Sequence, residues 1–214
     1  MMKYLLIALF ITAGLASSGQ STVPYSRDYE FREGVFLNVE QFRNNTPITK
    51  GSIVSGIPAG QIDFLSEVME QKTLTYKDSA GKEQTVQTET VWGYCQNRFV
   101  SINFNGSFNR FNVIGTLSLF SGMLIRTPLE RDPMGDIYSV NTSYEELHQF
   151  VFDTKANKIW DFNVKNMEQL LQDDDELYQA FMKLKKRAKA DSIFIYLRKY
   201  NEKHPLYLPA NYGG

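Results

Sequence analysis

Hydrophobic and polar residues alternate with a period of two along much of segment 72–120, a pattern that predicts β-strands. The strongest signal is Asn105-Gly106, which separates two such strands and is typical of a type I′ hairpin turn. A two-residue turn fixes the register, so that Ser101 lies opposite Arg110. A weaker turn signal at Asn97-Arg98 places Cys95 opposite Val100 by the same rule.

This register predicts a three-stranded ribbon with two unlike faces. The expected core face carries Val91, Gly93, Cys95, Val100, Ile102, Phe104, Phe111 and Val113. The expected second face is aromatic and polar, with one charge, and carries Trp92, Tyr94, Phe99, Ser101, Asn103, Phe108, Arg110 and Asn112. Within it, Trp92, Tyr94, Phe108 and Arg110 form the candidate ligand-binding or packing face.

Helices are predicted mainly after the strands. Near the N-terminal end, Asn38 has the features of an N-cap for a short helix over Val39–Arg43. From Asn163 onward the hydrophobic period becomes 3.6, and a second helix opens at the acidic run 173–176 with Leu177, Phe181, Leu184 and Ala188 on its buried stripe. A last helix over Asp191–Lys203 ends at Pro205. Strands followed by helices predict an α+β fold, a largely antiparallel sheet of hairpins with C-terminal helices packed on it.

The N-terminal segment has the organisation of a secretory signal peptide. Lys3 precedes an apolar run from Leu5 to Ala16, and small residues follow it. We therefore expect cleavage near Gly19 and Gln20, which makes the protein exported, either periplasmic or secreted. An uncleaved membrane anchor is the alternative. The expected organisation is a signal peptide over 1–19, a loosely ordered arm over 20–34, and a single α+β domain over 35–214 with no transmembrane segment.

The amino-acid composition excludes further classes of protein. The 214 residues include 23 Lys and Arg against 24 Asp and Glu, a net charge of −1 that speaks against a nucleic-acid partner. Cys95 is the sole cysteine, so the sequence predicts no intramolecular disulfide and no cysteine-rich metal cluster.

Several short blocks resemble a family of exported, uncharacterised proteins of Bacteroidetes-type bacteria. These blocks are Gly34-Val35-Phe36 with Glu40-Gln41-Phe42-Arg43-Asn44-Asn45-x-Pro47, Trp92-Gly93-Tyr94-Cys95, Phe108-x-Arg110 with Gly115, and Tyr200-Asn201-x-x-His204-Pro205-Leu206-Tyr207. The resemblance covers roughly residues 32–209 and implies export and a bacterial origin. It implies no activity, so it assigns no catalytic residue.

Candidate chemistry is sparse. A thiol nucleophile at Cys95 would need a base such as His148 or His204, but the register places Cys95 on the core face. The acidic run Asp173-Asp174-Asp175-Glu176 suits a helix N-terminus better than a cation site. No catalytic, cofactor-binding or metal-binding residue is predicted.

Arg110 permits two interpretations. The C-terminal helices cover its face and one of their acids pairs with it, or the face is open and binds a small anionic or sugar-like ligand. The sequence therefore favours an exported envelope protein that acts by binding or assembly, with a ligand of that kind or another envelope protein as its partner. An enzyme of unrecognised type that uses Cys95 or His204 is the alternative.

Overall fold

The computed structural model describes residues 21–126, 129–131, 137–139 and 143–210, and the fold is α+β. Its main element is a curled, antiparallel seven-stranded sheet with the order β13-β12-β9-β8-β7-β6-β2. The strands of this sheet are β2 (Gly34–Phe36), β6 (Gly93–Gln96), β7 (Phe99–Phe104), β8 (Ser107–Val113), β9 (Leu117–Arg126), β12 (Tyr144–Asp153) and β13 (Lys158–Asp161).

Three smaller sheets accompany it. The first is the small sheet, which consists of β3 (Ile53–Val54), β4 (Thr73–Lys77) and β5 (Glu83–Gln87). A two-stranded sheet joins β1 (Thr22–Pro24) to β14 (Tyr207–Pro209), and another joins β10 (Leu129–Arg131) to β11 (Ile137–Ser139). The helices are α1 (Val39–Arg43), α2 (Phe64–Met69), α3 (Val164–Leu170), α4 (Asp175–Met182) and α5 (Lys186–Lys203).

The hairpin predicted from Asn105-Gly106 is confirmed in type and register. Both turn residues have positive φ, 53° for Asn105 and 80° for Gly106, as a type I′ turn requires. Ser101 pairs with Arg110, and Cys95 pairs with Val100 across the Asn97-Arg98 turn. The helix cap at Asn38 is also confirmed, because its side chain accepts a hydrogen bond from the Gln41 amide at 3.0 Å.

The two faces of the seven-stranded sheet bury different sets of side chains. The inner face, which holds Cys95, Ile102, Phe111, Phe120 and Phe150, packs against α1, segment 25–31 and β14. The outer face is covered in two places. At one end the α3–α5 helices cover Leu117, Leu119 and Val151, and at the other end α2 and the small sheet cover Val35 and Val91.

Two face assignments from the sequence are wrong at the residues just before Gly93. A Cβ atom at Gly93 would lie 2.2 Å from the Ser101 carbonyl oxygen, so only glycine permits this close approach of β6 to β7. The regular alternation of faces breaks at this point. Trp92 therefore packs on the inner face, where its ring stacks on Phe42 at 4.6 Å between centroids, and Val91 lies on the outer face.

A β-bulge causes a third error. Phe111 pairs with Phe120 but Val113 pairs with Leu119, so one extra residue sits in β8 between them. The bulge turns Val113 away from the inner face and toward the C-terminal helices. In an unbroken strand Val113 would lie on the same face as Phe111, as the sequence pattern predicted.

The expected loosely ordered arm over 20–34 also differs from the structure in the part that is described. Residues 22–24 form β1 and pair with β14, and the Tyr25 amide donates to the Leu206 carbonyl oxygen at 2.7 Å. Phe31 is buried and stacks on Phe42 at 5.2 Å between ring centroids. The segment was expected to be loosely ordered because most of its residues are polar, but its aromatic side chains Tyr25, Tyr29 and Phe31 pack against the inner face.

The C-terminal helices follow the predicted order with one change of boundary. Asn163 and Asp174 cap α3 and α4 through their side chains. However, α4 ends at Met182 and α5 already begins at Lys186, so the predicted stripe that continued to Ala188 is interrupted. Buried Lys189 then pairs with Glu168 of α3 at 2.5 Å instead of lying on a solvated basic run. None of the helices in the described part of the chain has the length and apolar character needed to cross a membrane.

Candidate functional site

A cleft of about 630 Å³ opens on the outer face, between α2, the small sheet and the Asn105-Gly106 turn. We call it the aromatic cleft, because the paired rings of Tyr94 and Phe108 lie in its wall. Its volume is in the range of small-ligand pockets. Its lining residues are Ser66, Met69, Glu70, Gln71, Lys72, Gln87, Thr88, Glu89, Tyr94, Gly106, Ser107 and Phe108.

Local hydrogen bonds fix the elements around the cleft. The side-chain oxygen of Gln96 in β6 accepts hydrogen bonds from the backbone amides of Leu65 and Ser66 at 2.7 and 3.1 Å. These bonds satisfy two amides at the N-terminus of α2 that have no partner within the helix. On the opposite wall, the buried Thr88 hydroxyl donates to the Gln71 carbonyl oxygen. The Thr88 amide donates to the Lys72 carbonyl oxygen at 3.1 Å. The segments 70–72 and 87–89 are therefore held together by the backbone, which leaves their side chains available at the cleft.

Tyr94 and Phe108 come from different strands and meet on the outer face. Their ring centroids are 5.3 Å apart with an interplanar angle of 66°, an edge-to-face arrangement. Burial raises the pKa of Tyr94, a hydrogen bond with Ser101 acts in the opposite direction, and the charges of Glu70 and Asp63 raise it further. The Tyr94 hydroxyl therefore stays protonated at neutral pH.

Asn103 forms the partition between the cleft and a neighbouring depression. Its side-chain amide donates to the carbonyl oxygens of Glu89 and Val91 at 2.9 and 3.0 Å, and its oxygen accepts the Gly106 amide at 3.0 Å. The second depression, of about 470 Å³, shares Glu89 and Gly106 with the cleft and is lined by Trp92. The indole nitrogen of Trp92 is buried and has no hydrogen-bond partner among the described residues.

The charged groups of the cleft are free of ion pairs with the rest of the described chain. Glu70, Lys72 and Glu89 are all exposed, and none has an oppositely charged partner within 4.0 Å in those residues. Two carboxylates against one ammonium group give the cleft an excess of one negative charge at neutral pH. The same rim carries the amides of Gln71 and Gln87. Such a set offers hydrogen-bond acceptors and donors to an uncharged polar ligand and repels an anion.

Arg110 lies outside this cleft, on a part of the outer face that the C-terminal helices do not cover. It is exposed, and its guanidinium carbon lies 3.2 Å from the centroid of the Phe99 ring. No acid among the described residues forms an ion pair with it, and the C-terminal helices pack farther along the sheet, on Leu117 and Leu119. Of the four predicted face residues, the structure thus joins Tyr94 and Phe108, places Trp92 in the adjoining depression, and leaves Arg110 apart.

Cys95 is fully buried on the inner face, 3.9 Å from the Phe31 carbonyl oxygen. Burial, and to a smaller extent the charge of Glu33, raise the pKa of its thiol to about 12, while the charge of Lys50 acts in the opposite direction. A thiol of this kind is protonated at neutral pH and has no access to a substrate. The geometry therefore speaks against Cys95 as a nucleophile.

His204 closes the last helix, as the sequence suggested, and forms part of an ion-pair network. Its imidazole Nε2 lies 2.6 Å from Asp174, which also accepts from Lys203 at 2.8 Å and caps α4 through the Leu177 amide. Hydrogen bonding from Lys203 and from the Leu177 amide holds the pKa of Asp174 far below its usual range. These contacts describe a structural junction between α4 and the end of α5.

The rest of the acidic run is divided between different partners. Asp173 accepts from the Tyr200 hydroxyl at 2.6 Å and from the Lys155 ammonium at 3.1 Å, and Glu176 accepts from Lys203 at 2.8 Å. In the described part of the chain, no three or more His, Cys, Asp or Glu side chains are grouped so that they could hold a metal ion.

Sequence reasoning missed the far wall of the aromatic cleft. Ser66 and Glu70 lie in α2 or directly after it, Lys72 directly precedes β4, and Glu89 lies between β5 and β6, so these residues are 19 to 42 positions from Phe108 along the chain. Nothing in the pattern of hydrophobic and polar positions showed that they line the same cleft as Tyr94.

Comparison of the chain with protein-family models, with curated proteins and with solved structures gives no match.

Proposed function

We propose that the protein is an exported envelope protein that acts by binding a sugar-like ligand in the aromatic cleft. The observation that carries the proposal is the meeting of Tyr94 and Phe108 with Glu70, Lys72 and Glu89, charged groups that have no ion-pair partner among the described residues. Aromatic rings pack against the C–H groups of a sugar ring. Carboxylate and amide groups around them match its hydroxyls.

The charge of the cleft favours an uncharged ligand over an anionic one. The excess of one negative charge from Glu70 and Glu89 over Lys72 disfavours a carboxylate or phosphate ligand at short range. The anionic ligand considered from the sequence depended on Arg110, which does not line the cleft. A neutral polyhydroxyl ligand can pack against the aromatic rings and form hydrogen bonds with the polar groups of the rim.

Binding is tested with neutral di- and trisaccharides, namely chitobiose, cellobiose and maltotriose, followed by NMR of the ¹⁵N-labelled mature protein. We expect one or more of them to shift the amide signals of segments 87–89 and 106–108. Phe108→Ala should weaken that binding by about tenfold or more, whereas Phe99→Ala, an exposed aromatic residue outside the cleft, should leave it unchanged. Absence of saturable shifts with all three sugars would contradict the proposal.

Export is tested independently of the ligand. The signal-like pattern of residues 1–19 predicts that the protein recovered from the envelope or medium begins at Gln20 or within two residues of it. N-terminal sequencing decides this, and an intact Met1 on protein from the cytoplasm would overturn the export proposal.

The alternative of an enzyme that uses Cys95 is tested by thiol labelling. Because the sulfur is buried and its pKa is raised, we expect the native protein to react with a maleimide reagent only after denaturation. Rapid labelling of the native protein would restore the enzyme hypothesis and contradict the burial of β6.

A further inference from the structure

A second cleft, of about 650 Å³, lies at the other side of the molecule, where the N-terminal segment meets α5. We call it the arginine cleft, because Arg27 and Arg198 both line it. It shares no residue with the aromatic cleft. Its remaining lining residues are Pro24, Tyr25, Asn112, Val113, Ile114, Gly115, Asn201, Glu202, Pro205 and Leu206.

The charge of this cleft is opposite to that of the aromatic cleft. Two guanidinium groups face a single carboxylate, Glu202, which gives an excess of one positive charge. Neither Arg27 nor Arg198 forms an ion pair within 4.0 Å in the described chain, although Glu202 is four residues from Arg198 on the same helix. The guanidinium of Arg198 instead lies over the ring of Phe194, 4.6 Å from its centroid. Both arginines are therefore available to an external anion.

The wall beneath these charges is apolar and firmly held. Leu206 is buried, and Tyr25 and Ile114 are half-buried. Asn201 is held against β9 by two hydrogen bonds of 2.8 Å. Its side-chain oxygen accepts from the Leu117 amide, and its side-chain nitrogen donates to the Leu117 carbonyl oxygen. The wall therefore has a fixed shape that requires no rearrangement on binding.

Tyr25 adds a polar group beside the apolar wall. Burial raises the pKa of its hydroxyl, and the charge of Arg27 acts in the opposite direction, so the hydroxyl stays protonated at neutral pH. Tyr25 and Arg27 both line the cleft, so a hydroxyl and a guanidinium can each donate to an anion bound there.

We propose that the arginine cleft binds a small amphiphilic anion, with a carboxylate or phosphate held by Arg27 and Arg198 and an apolar chain against Ile114 and Leu206. The combination of a positive rim and a fixed apolar wall selects for both parts of such a ligand. The site is independent of the sugar-like ligand proposed above, since the two clefts differ in residues and in the sign of their charge.

The test uses octanoate as the probe, with titration calorimetry on the mature protein. Octan-1-ol, which carries the same chain without the charge, and inorganic phosphate, which carries charge without the chain, serve as comparison ligands. Hexyl phosphate then separates a preference for phosphate from one for carboxylate. We expect saturable binding of octanoate or hexyl phosphate, and at least tenfold weaker binding of octan-1-ol and inorganic phosphate.

Arg198→Gln and Arg27→Gln should each weaken binding of the anion about 10- to 100-fold, the range expected for one charge-assisted hydrogen bond. Arg110→Gln is the matched control, because it removes an equally exposed arginine that lies outside the cleft. Sugar binding should persist in all three variants. The proposal is overturned if neither anion binds saturably, if octan-1-ol binds as tightly as octanoate, or if Arg110→Gln weakens binding as much as the other two substitutions.

Discussion

The two ends of the outer face are covered in different ways, and the difference explains why the aromatic cleft forms where it does. At the helix end, Leu117, Leu119 and Val151 lie under α3–α5, and Met167, Phe181 and Leu197 fill the interface with no exposed surface. Three helices present enough side chains to close the face completely.

At the cleft end, the cover is a six-residue helix and a three-stranded sheet. They bury Val35, Leu74 and Val91 but leave Tyr94 and Phe108 half-buried. The polar groups differ as well. At the helix end Asp174 and Lys203 form an ion pair, whereas the charges of the aromatic cleft have no such partners among the described residues. An incomplete cover combined with unpaired polar groups marks a surface suited to binding.

The sharpest test of this comparison replaces one phenylalanine at each end with alanine. Phe181→Ala should destabilise the protein by about 3–5 kcal/mol, because the side chain is fully buried and leaves a cavity under α5. Phe108→Ala should cost about 1 kcal/mol, since its ring is only half-buried. Chemical denaturation measures both, and equal losses would show that the two ends are packed alike.

Asn103→Ala tests the partition beside the aromatic cleft. We expect a loss of about 1–3 kcal/mol, because the carbonyl oxygens of Glu89 and Val91 and the Gly106 amide each lose a partner. The pattern of the strand alone suggested a far smaller effect for this outward-facing residue. Asn112→Ala is the control, since its exposed side chain makes one bond of 3.3 Å to Ser121, and it should change the free energy of unfolding by no more than about 0.5 kcal/mol.

The ion pairs of the helix end predict a specific dependence of stability on pH. The pKa of Asp174 is lowered in the folded protein, so its contribution is present above the ordinary carboxylate pKa of about 3.9 and is lost as the pH falls below it. Asp174→Asn keeps a helix cap but removes the charge, and should therefore flatten the loss of stability below about pH 4.

Asp175→Asn, which removes an exposed neighbouring acid, is the control for this measurement. Thermal unfolding followed between pH 7 and pH 2 compares the three proteins. An unchanged acid profile in Asp174→Asn would show that the junction with Lys203 and His204 does not contribute to stability.

The smallest effect is expected at Arg110, between the two ends. Arg110→Met should change the free energy of unfolding by less than about 1 kcal/mol, because the residue is exposed and loses only its contact with the Phe99 ring. A loss of several kcal/mol in denaturation experiments would mean that an acid pairs with Arg110 and that this part of the face is covered.

Local chemistry made part of the fold predictable. The turn residues Asn105-Gly106 determine the hairpin and its register, because positive φ at two successive positions suits these residues. The caps at Asn38 and Asn163, and the start of α4 within the acidic run 173–176, were equally readable, since each capping side chain accepts from an amide only three residues away.

Predictions failed where a regular strand was assumed. The faces of Trp92 and Val113 changed because a close backbone approach at Gly93 and a bulge in β8 each shift the alternation by one residue. Neither irregularity has a distinct sequence pattern, and both depend on how neighbouring strands meet. Of the candidate face, Tyr94 and Phe108 lie together, Trp92 packs on the inner face, and Arg110 lies outside the aromatic cleft.

The sequence by itself determined the hairpins at Asn97-Arg98 and Asn105-Gly106, the helix starts at Asn38 and Asn163 and the α+β class, because these depend on interactions between residues close together in the chain. Only the tertiary structure decided which side chains share a surface. Glu70 and Glu89 reach Tyr94, and Arg27 reaches the cleft that Arg198 lines, through the packing of elements far apart in sequence. Such meetings depend on the burial and crossing of whole elements, and no local pattern of residues encodes them.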